Sequence, residues 1–156
     1  MKNLIVFLIF LWIPLAQAQD CTLDQRVKLK DIINCAEQGD RVAQFMLGEI
    51  YNIGKEVPRN YKKAFEWYSK AAEQGDKNSQ FCLYAAYYNG QGVPKNYVLA
   101  YMWLSLHIVN SSPAPFIPYP YTYECLDDLE KKLSPNELAK AQDMANDWLT
   151  KHKNNN

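Results

Sequence analysis

The feature that most constrains this chain is an internal repeat of 36 residues. The pentapeptide AEQGD occurs at 36–40 and again at 72–76, and the two segments that follow stay similar for most of the next helix pair. The matched positions include Gln44/Gln80, Phe45/Phe81, Leu47/Leu83, Tyr51/Tyr87, Gly54/Gly90, Pro58/Pro94, Asn60/Asn96, Ala64/Ala100 and Trp67/Trp103. A repeat of this length is typical of stacked supersecondary units, whose function is sought on a surface rather than in a deep pocket.

Each copy has the pattern of two helices joined by a turn. Ala43, Leu47 and Tyr51 are spaced four apart, which places them on one face of a helix. Gly54 is predicted to end that helix, because glycine readily takes the left-handed conformation of a helix end. Asn60 is predicted to cap the second helix by accepting a backbone hydrogen bond. The repeat unit is therefore a helix, a turn and a helix.

We predict an all-α fold, a short α-α superhelix (solenoid) of stacked antiparallel helix pairs, because one thin pair cannot bury its own apolar face. The predicted divisions are a signal peptide at 1–18, an N-terminal capping helix at 19–40, two 36-residue repeats at 41–110, a Pro/aromatic loop at 111–122, a C-terminal helix pair at 123–151 and a disordered tail at 152–156. In the last pair, Ser134 followed by Glu137 three residues later predicts a capping box.

The first residues resemble a secretory signal peptide. One Lys precedes an apolar run from Leu4 to Leu15, and small residues stand at Ala16 and Ala18, so cleavage is expected after Ala18. The apolar run is shorter than the ordinary membrane span of about 20 residues. We therefore expect a periplasmic or secreted protein with no integral membrane span after cleavage; the alternative is an uncleaved anchor.

The Pro-rich stretch SSPAPFIPYPYTY interrupts the array. Its four prolines cannot continue a helix and favour extended backbone. It is either a connector whose aromatic residues cover the neighbouring helix or a segment that docks on a partner or on the groove.

The charge balance argues against nucleic acid as a partner. The chain has 17 basic and 17 acidic residues, and the basic residues form no stripe. We predict no cofactor and a monomer.

No constellation of catalytic residues emerges from the sequence. The two histidines, His107 and His152, lie in an apolar helix and in the tail, and neither has the context of a nucleophile elbow or a metal site. Asp127, Asp128 and Glu130 have the spacing of a solvated helix face. We therefore predict no catalytic residue, no metal ligand and no enzymatic activity.

All four cysteines follow the predicted cleavage site, and an even number in an exported chain favours disulfides. Their wide separations do not resemble a zinc site. Cys82 and Cys125 lie in the first helices of consecutive pairs, which are neighbours in a stack, so this pairing is our first choice. Cys35 is either a disulfide partner or a small core residue, and Cys21 could reach it only if the chain folds back.

The segment AEQGDRVAQFMLGEIYNIGKEVPRNYKKAFEWYSKAAEQGD is similar to a Sel1-like repeat, an α-helical relative of the tetratricopeptide repeat. The second copy matches more loosely. The resemblance implies a protein that brings other proteins together, with a protein or peptide as partner. Some cysteine-rich relatives are described as binding or slowly hydrolysing β-lactams, which makes a weak hydrolase the alternative, although no motif of this chain supports it. The disulfide positions of those relatives do not carry over.

The resemblance also places the first helix of each pair on the inner wall of a groove. The stripe beside the core of each first helix would then face the groove, and its mixture of apolar, amide and aromatic side chains suits peptide recognition. The alternative is that these are ordinary solvated residues. The predicted binding residues are Glu49, Asn52, Ile53, Ala85, Tyr88 and Asn89.

Overall fold

The computed structural model describes residues 28–111 and 120–153, which form seven helices and no strand. The helices are α1 (Leu29–Glu37), α2 (Arg41–Ile53), α3 (Tyr61–Glu73), α4 (Lys77–Asn89), α5 (Tyr97–Ser111), α6 (Pro120–Lys132) and α7 (Pro135–Lys153). The predicted all-α class is therefore confirmed. The predicted signal peptide and residues 112–119 of the Pro/aromatic loop lie outside the described residues. None of the seven helices is both long and apolar enough to cross a membrane.

The Asp of each AEQGD pentapeptide begins the next helix. Asp40 Oδ1 accepts the Ala43 N–H at 2.6 Å, and Asp76 Oδ1 accepts the Ser79 N–H at 2.7 Å. Each bond satisfies a backbone donor that has no partner within the helix. At the other end of α2, Gly54 has φ 74°, the left-handed conformation predicted for it.

The same backbone hydrogen bond closes the turn inside both helix pairs. The Asn60 side chain accepts the Lys63 N–H at 3.0 Å, as predicted for a cap, while the Asn60 backbone N–H donates to Tyr51 O at 2.9 Å. In the second repeat the Asn96 N–H donates to Tyr87 O at 2.9 Å. This asparagine therefore fixes both the start of the second helix and its distance from the first.

In each repeat, one buried glutamine side-chain amide attaches the first helix to the helix before it. Gln44 Nε2 donates to Ala36 O at 3.1 Å, and Gln80 Nε2 donates to Ala72 O at 3.4 Å. A buried amide without a partner is costly, so this residue is useful only where a helix-end carbonyl with a second lone pair to offer lies opposite it. The repeated glutamine is thus a contact between consecutive units.

The helices stack in chain order. α1 packs on α2, α2 on α3, α3 on α4 and α4 on α5, and both α6 and α7 pack on α5. One apolar cluster joins α1 to α2, and a larger one runs from α3 to α7. The fully buried leucines are Leu47, Leu83, Leu104, Leu106 and Leu129.

The two repeats place their large core side chain on opposite helices. In the first repeat Tyr68 of α3 lies against Gly48 of α2, where a Cβ atom would come within 2.5 Å of the Tyr68 ring. In the second repeat the matching positions hold Tyr84 on α4 and Leu104 on α5, and both are buried. The Tyr84 ring lies beside the rings of Phe81 and Tyr88, so the two repeats fill their cores with different side chains at these positions.

The C-terminal part differs from the prediction in three respects. α6 begins at Pro120 rather than at residue 123, since proline is well suited to a first helical turn. α6 and α7 pack on α5 rather than chiefly on each other. The predicted disordered tail is wrong at its start: α7 continues to Lys153, and the His152 ring stacks on Trp148 with 3.7 Å between centroids.

The predicted capping box is present, with the Ser134 N–H donating to Glu137 Oε2 at 2.9 Å.

The contact between Gly48 and Tyr68 predicts that Gly48→Ala destabilises the protein. Alanine favours a helix over glycine by about 1 kcal/mol, but the displaced ring should outweigh this gain and lower the free energy of unfolding by about 1–3 kcal/mol. Urea unfolding followed by circular dichroism measures the effect. Adding Tyr68→Leu, which copies the residue at Leu104, should recover part of the loss. A single variant more stable than wild type would contradict this packing.

Candidate functional site

A narrow cleft lies where the two repeats meet. It has a volume of about 80 Å³ and is bounded by α2, α3, α4 and the turn after α4. The lining residues are Asn52, Tyr61, Ala64, Phe65, Tyr68, Cys82, Ala85, Ala86 and Gln91. We call this space the inter-repeat cleft.

The structure brings only some of the predicted binding residues to this cleft. Asn52 and Ala85 line it, and Glu49 contacts two of its lining side chains. Ile53 and Asn89 are exposed at the C-terminal ends of their helices, and neither lines the cleft. The predicted set therefore divides among the cleft, two helix ends and Tyr88.

The Glu49 carboxylate joins α2 to both α3 and α4. Its Oε1 atom accepts a hydrogen bond from the Tyr68 hydroxyl and lies 4.0 Å from the Cys82 thiol. Burial and then the hydrogen bond to Glu49 raise the pKa of Tyr68. Burial and then the charge of Glu49 raise the pKa of Cys82 to about 12. Both neighbours thus remain neutral donors at ordinary pH.

Tyr88 has a structural contact that the sequence did not reveal. Its hydroxyl donates to Asp128 Oδ2 of α6 at 2.6 Å, and Lys132 Nζ lies 3.2 Å from Asp128 Oδ1. The hydrogen bond raises the pKa of Tyr88 and lowers the pKa of Asp128. The Tyr88 and Tyr97 rings also lie 5.5 Å apart. Tyr88 therefore connects α4 to α6, and its hydroxyl is already engaged within the protein.

Sequence reasoning missed the residues of α3 that line the cleft. Tyr68 and Phe65 belong to the second helix of the pair, which the family resemblance does not place on the groove. A signal was present in the repeat itself, because Tyr68 aligns with Leu104 and Glu49 aligns with Ala85. The polar pair thus occurs in one repeat and is absent from the other.

The preferred disulfide between Cys82 and Cys125 is wrong, because both residues are free thiols. The two side chains have different neighbours: Cys82 lies beside Glu49, whereas Cys125 lies beside Tyr84. Consecutive first helices are neighbours, but the two thiols are not directed at one another. Cys35 is buried and disulfide-bonded, and Cys21 lies outside the described residues.

Both histidines are occupied by packing contacts. Nδ1 of the buried His107 lies 2.7 Å from Lys77 O. His152 Nδ1 and Nε2 lie 2.8 Å from Trp148 O and 2.9 Å from Glu73 O, which attaches the end of α7 to α3. Within residues 28–111 and 120–153, no group of three or more His, Cys, Asp or Glu side chains could hold a metal ion.

A second, wider cleft of about 780 Å³ lies between α5 and α7 and extends to the end of α3. Trp103 and Trp148 meet there edge to face at 6.5 Å, and the Trp148 indole N–H donates to Glu73 Oε2 at 3.2 Å. Trp148 thus fastens α7 to α3.

The architecture of stacked helical pairs has counterparts among known proteins. The Sel1 repeat profile matches residues 41–76 and 80–106, the region of α2 to α5. The chain is similar to a protective antigen present in uropathogenic Escherichia coli strains that displays an SLR fold, with 30% identity and a TM-score of 0.70 over 78% of this chain and 25% of that one. It is also similar to a Sel1 repeat protein from Oxalobacter formigenes, with 33% identity and a TM-score of 0.51 over 52% of this chain and 62% of that one.

The chain is thus a helical-repeat solenoid. It belongs to the Sel1-like repeat family. No curated protein matches it. Sel1 repeats commonly mediate protein–protein interaction and are generally non-catalytic scaffolds.

The environment of Cys82 predicts a thiol of low reactivity. At pH 8 a free thiol with a pKa of about 8.5 is about one-quarter thiolate, whereas a pKa of about 12 leaves on the order of one in ten thousand. We expect iodoacetamide to label Cys82 at least about a hundredfold more slowly than in the urea-unfolded chain. Peptide mass mapping separates Cys82 from Cys125. Labelling at the unfolded rate would contradict the contact with Glu49.

Proposed function

We propose that this chain is a non-enzymatic interaction module that binds an extended segment of a partner protein at the inter-repeat cleft. The observation that carries the proposal is the composition and place of the cleft. It spans both repeats, and its lining combines the Asn52 and Gln91 amides with aromatic and small side chains. Aromatic side chains supply contact area, and amides can pair with the backbone of a bound segment.

The rigidity of the cleft walls also supports this function. Asn52 lies in α2 and Ala85 in α4, two helices held in register by the Glu49 contacts and the repeated glutamine. Because these helices are ordered before any partner arrives, binding would require little additional ordering of the protein. We further propose that the protein is exported, on the signal-peptide pattern of residues 1–18.

The hydrolase alternative gains no support from the described residues. Cys82 is the cysteine that lines the cleft and would be its candidate nucleophile. Its pKa is raised, whereas an activated thiolate requires a lowered pKa. The carboxylate next to it accepts hydrogen bonds from Tyr68 and is not paired with a histidine base. We therefore propose binding without chemistry.

The proposal predicts that filling the cleft abolishes binding of peptides. Purified protein would be used to select binders from a displayed library of random peptides, and each binder would be measured against Ala85→Arg, which places a long side chain in the cleft. We expect affinity to fall at least about tenfold, or about 1.4 kcal/mol. Glu66→Arg, on the exposed surface of α3, is the matched control and should leave affinity unchanged.

Thermal unfolding of both variants would verify that the fold is retained. If Ala85→Arg loses helicity, Asn52→Ala removes an amide from the lining without adding bulk and serves as the second variant. Peptides that bind wild type, Ala85→Arg and Asn52→Ala equally well would exclude the cleft as the binding site.

A further inference from the structure

A second groove lies on another face of α3. Lys63, Trp67 and Lys70 are spaced four and three apart, so they share one face of the helix, which differs from the face of Ala64 and Tyr68 that lines the inter-repeat cleft. The groove has a volume of about 560 Å³, and its lining includes Tyr51 of α2 together with Lys63, Glu66, Trp67 and Lys70 of α3. We call this space the α3 groove.

The internal repeat gives the α3 groove a counterpart in the second repeat. Four of its lining residues have matching residues 36 positions later, which pair as Tyr51/Tyr87, Lys63/Leu99, Glu66/Met102 and Trp67/Trp103. All four matching residues line the wider cleft between α5 and α7. The two spaces are therefore the same surface of two successive repeats.

In the second repeat a helix covers this surface. α7 packs on α5, and its Trp148 ring meets the Trp103 ring edge to face at 6.5 Å. Met144, one helical turn before Trp148, packs against the same apolar cluster as Leu99. Under this cover Trp103 is only 6% exposed. Within the chain, this repeat surface thus receives a helix that presents an aromatic side chain.

In the first repeat none of the described helices covers the matching surface in this way. Within residues 28–111 and 120–153, the helices that pack closely on α3 are α2 and α4, and α7 reaches α3 at its last residue, Glu73. Trp67 is accordingly half-buried, and Lys63 and Lys70 are exposed. The first repeat therefore has the receiving surface without the covering helix.

Lysine replaces leucine at two positions of this surface. Lys63 and Lys70 stand where the second repeat has Leu99 and Leu106. Leu99 packs against the apolar cluster, and Leu106 is fully buried in it. An apolar helix laid on the first repeat would remove water from two ammonium groups and give them no partner, which is costly. A helix with carboxylates at these places would pair with them instead.

Both ammonium groups lie over aromatic rings of the groove. Lys63 Nζ is 5.0 Å from the centre of the Tyr51 ring, and Lys70 Nζ is 3.7 Å from the centre of the Trp67 ring. Glu66 is the acidic residue of the described lining, and no ion pair within 4.0 Å joins it to either lysine. Two lysines and one glutamate leave the lining positively charged, so an acidic partner complements it.

We propose that the α3 groove is a docking site for an amphipathic helix of a partner protein, which presents an aromatic side chain to Trp67 and acidic side chains to Lys63 and Lys70. Helix-in-groove recognition of this kind uses residues of one helix face as anchors. The site is separate from the inter-repeat cleft, so this inference goes beyond the proposed function and does not depend on it.

The experiment uses a displayed library of 19-residue peptides built on the α7 sequence. The tryptophan of position 148 is kept, and positions 144, 147, 151 and 152 vary among Glu, Lys, Leu and Gln. The baits are wild type, Lys63→Glu/Lys70→Glu and a matched control, Lys55→Glu/Lys62→Glu, which makes the same charge change at exposed residues outside the lining. We expect Glu to be enriched in peptides selected by wild type and by the control, and Lys in those selected by Lys63→Glu/Lys70→Glu.

Affinity measurements on one peptide selected by wild type test each part of the proposal. Lys63→Glu/Lys70→Glu should weaken its binding at least about tenfold, because two attractive contacts become repulsive, and exchanging Glu for Lys in the peptide should restore binding. Replacing the peptide tryptophan with alanine should weaken binding to wild type at least about tenfold. A proline at the centre of the peptide should abolish binding, because it breaks a helix. Circular dichroism would verify that each protein variant retains its helices.

The outcomes that would overturn the proposal are distinct. Selected peptides without acidic preference, or equal affinity for wild type and Lys63→Glu/Lys70→Glu, would exclude the two lysines as the recognition element. Unchanged affinity of the proline-containing peptide would exclude a helical occupant. A dimer of the protein alone that Lys63→Glu/Lys70→Glu dissociates, measured by analytical ultracentrifugation, would assign the groove to a second copy. Each of these results leaves the inter-repeat cleft, which Ala85→Arg tests, unaffected.

Discussion

The structure depends on one constraint: a pair of helices as thin as those in this chain can bury its apolar face only against the next pair. The side chains of Leu47 and Leu83 are fully buried between neighbouring helices of the stack. No single helix pair encloses them by itself. The buried amides of Gln44 and Gln80 impose the second requirement, because each needs a helix-end carbonyl of the preceding unit. Apolar burial thus drives the stacking, and the glutamines restrict it to one register.

The inter-repeat cleft is a consequence of this stacking. Where α2, α3 and α4 meet, the small side chains of Ala64, Ala85 and Ala86 leave a space that no larger residue fills. Glu49 of α2 reaches Tyr68 and Cys82 beside this space, so a carboxyl group lies at the boundary between two repeats. The same contacts that hold the repeats together therefore determine the chemistry of the surface between them.

Local features were predictable from the sequence because their causes are local. Asn60 as a cap, Gly54 as a helix end and the Ser134/Glu137 capping box each depend on a few residues of backbone, and all three are present. The contacts of Tyr88 with Asp128 and of His152 with Glu73 join residues far apart in sequence, and no repeat pattern encodes them. For the same reason helical spacing placed six residues on one surface but did not reveal which had internal partners. The cysteine pairing was wrong because adjacency of two helices does not determine where their thiols point.

Tyr68 lies on the second helix of its pair, whereas Tyr84 lies on the first helix of its pair. Single helices of the two repeats are therefore not interchangeable. A recombination event that joined α4 to α3 would set Tyr84 at the place where Gly48 now admits the Tyr68 ring, whereas one that joined α2 to α5 would replace that ring with the smaller Leu104. Exchanges that transfer a whole helix pair avoid both defects. The heritable module of this array is therefore the intact helix pair, and its two helices must evolve together.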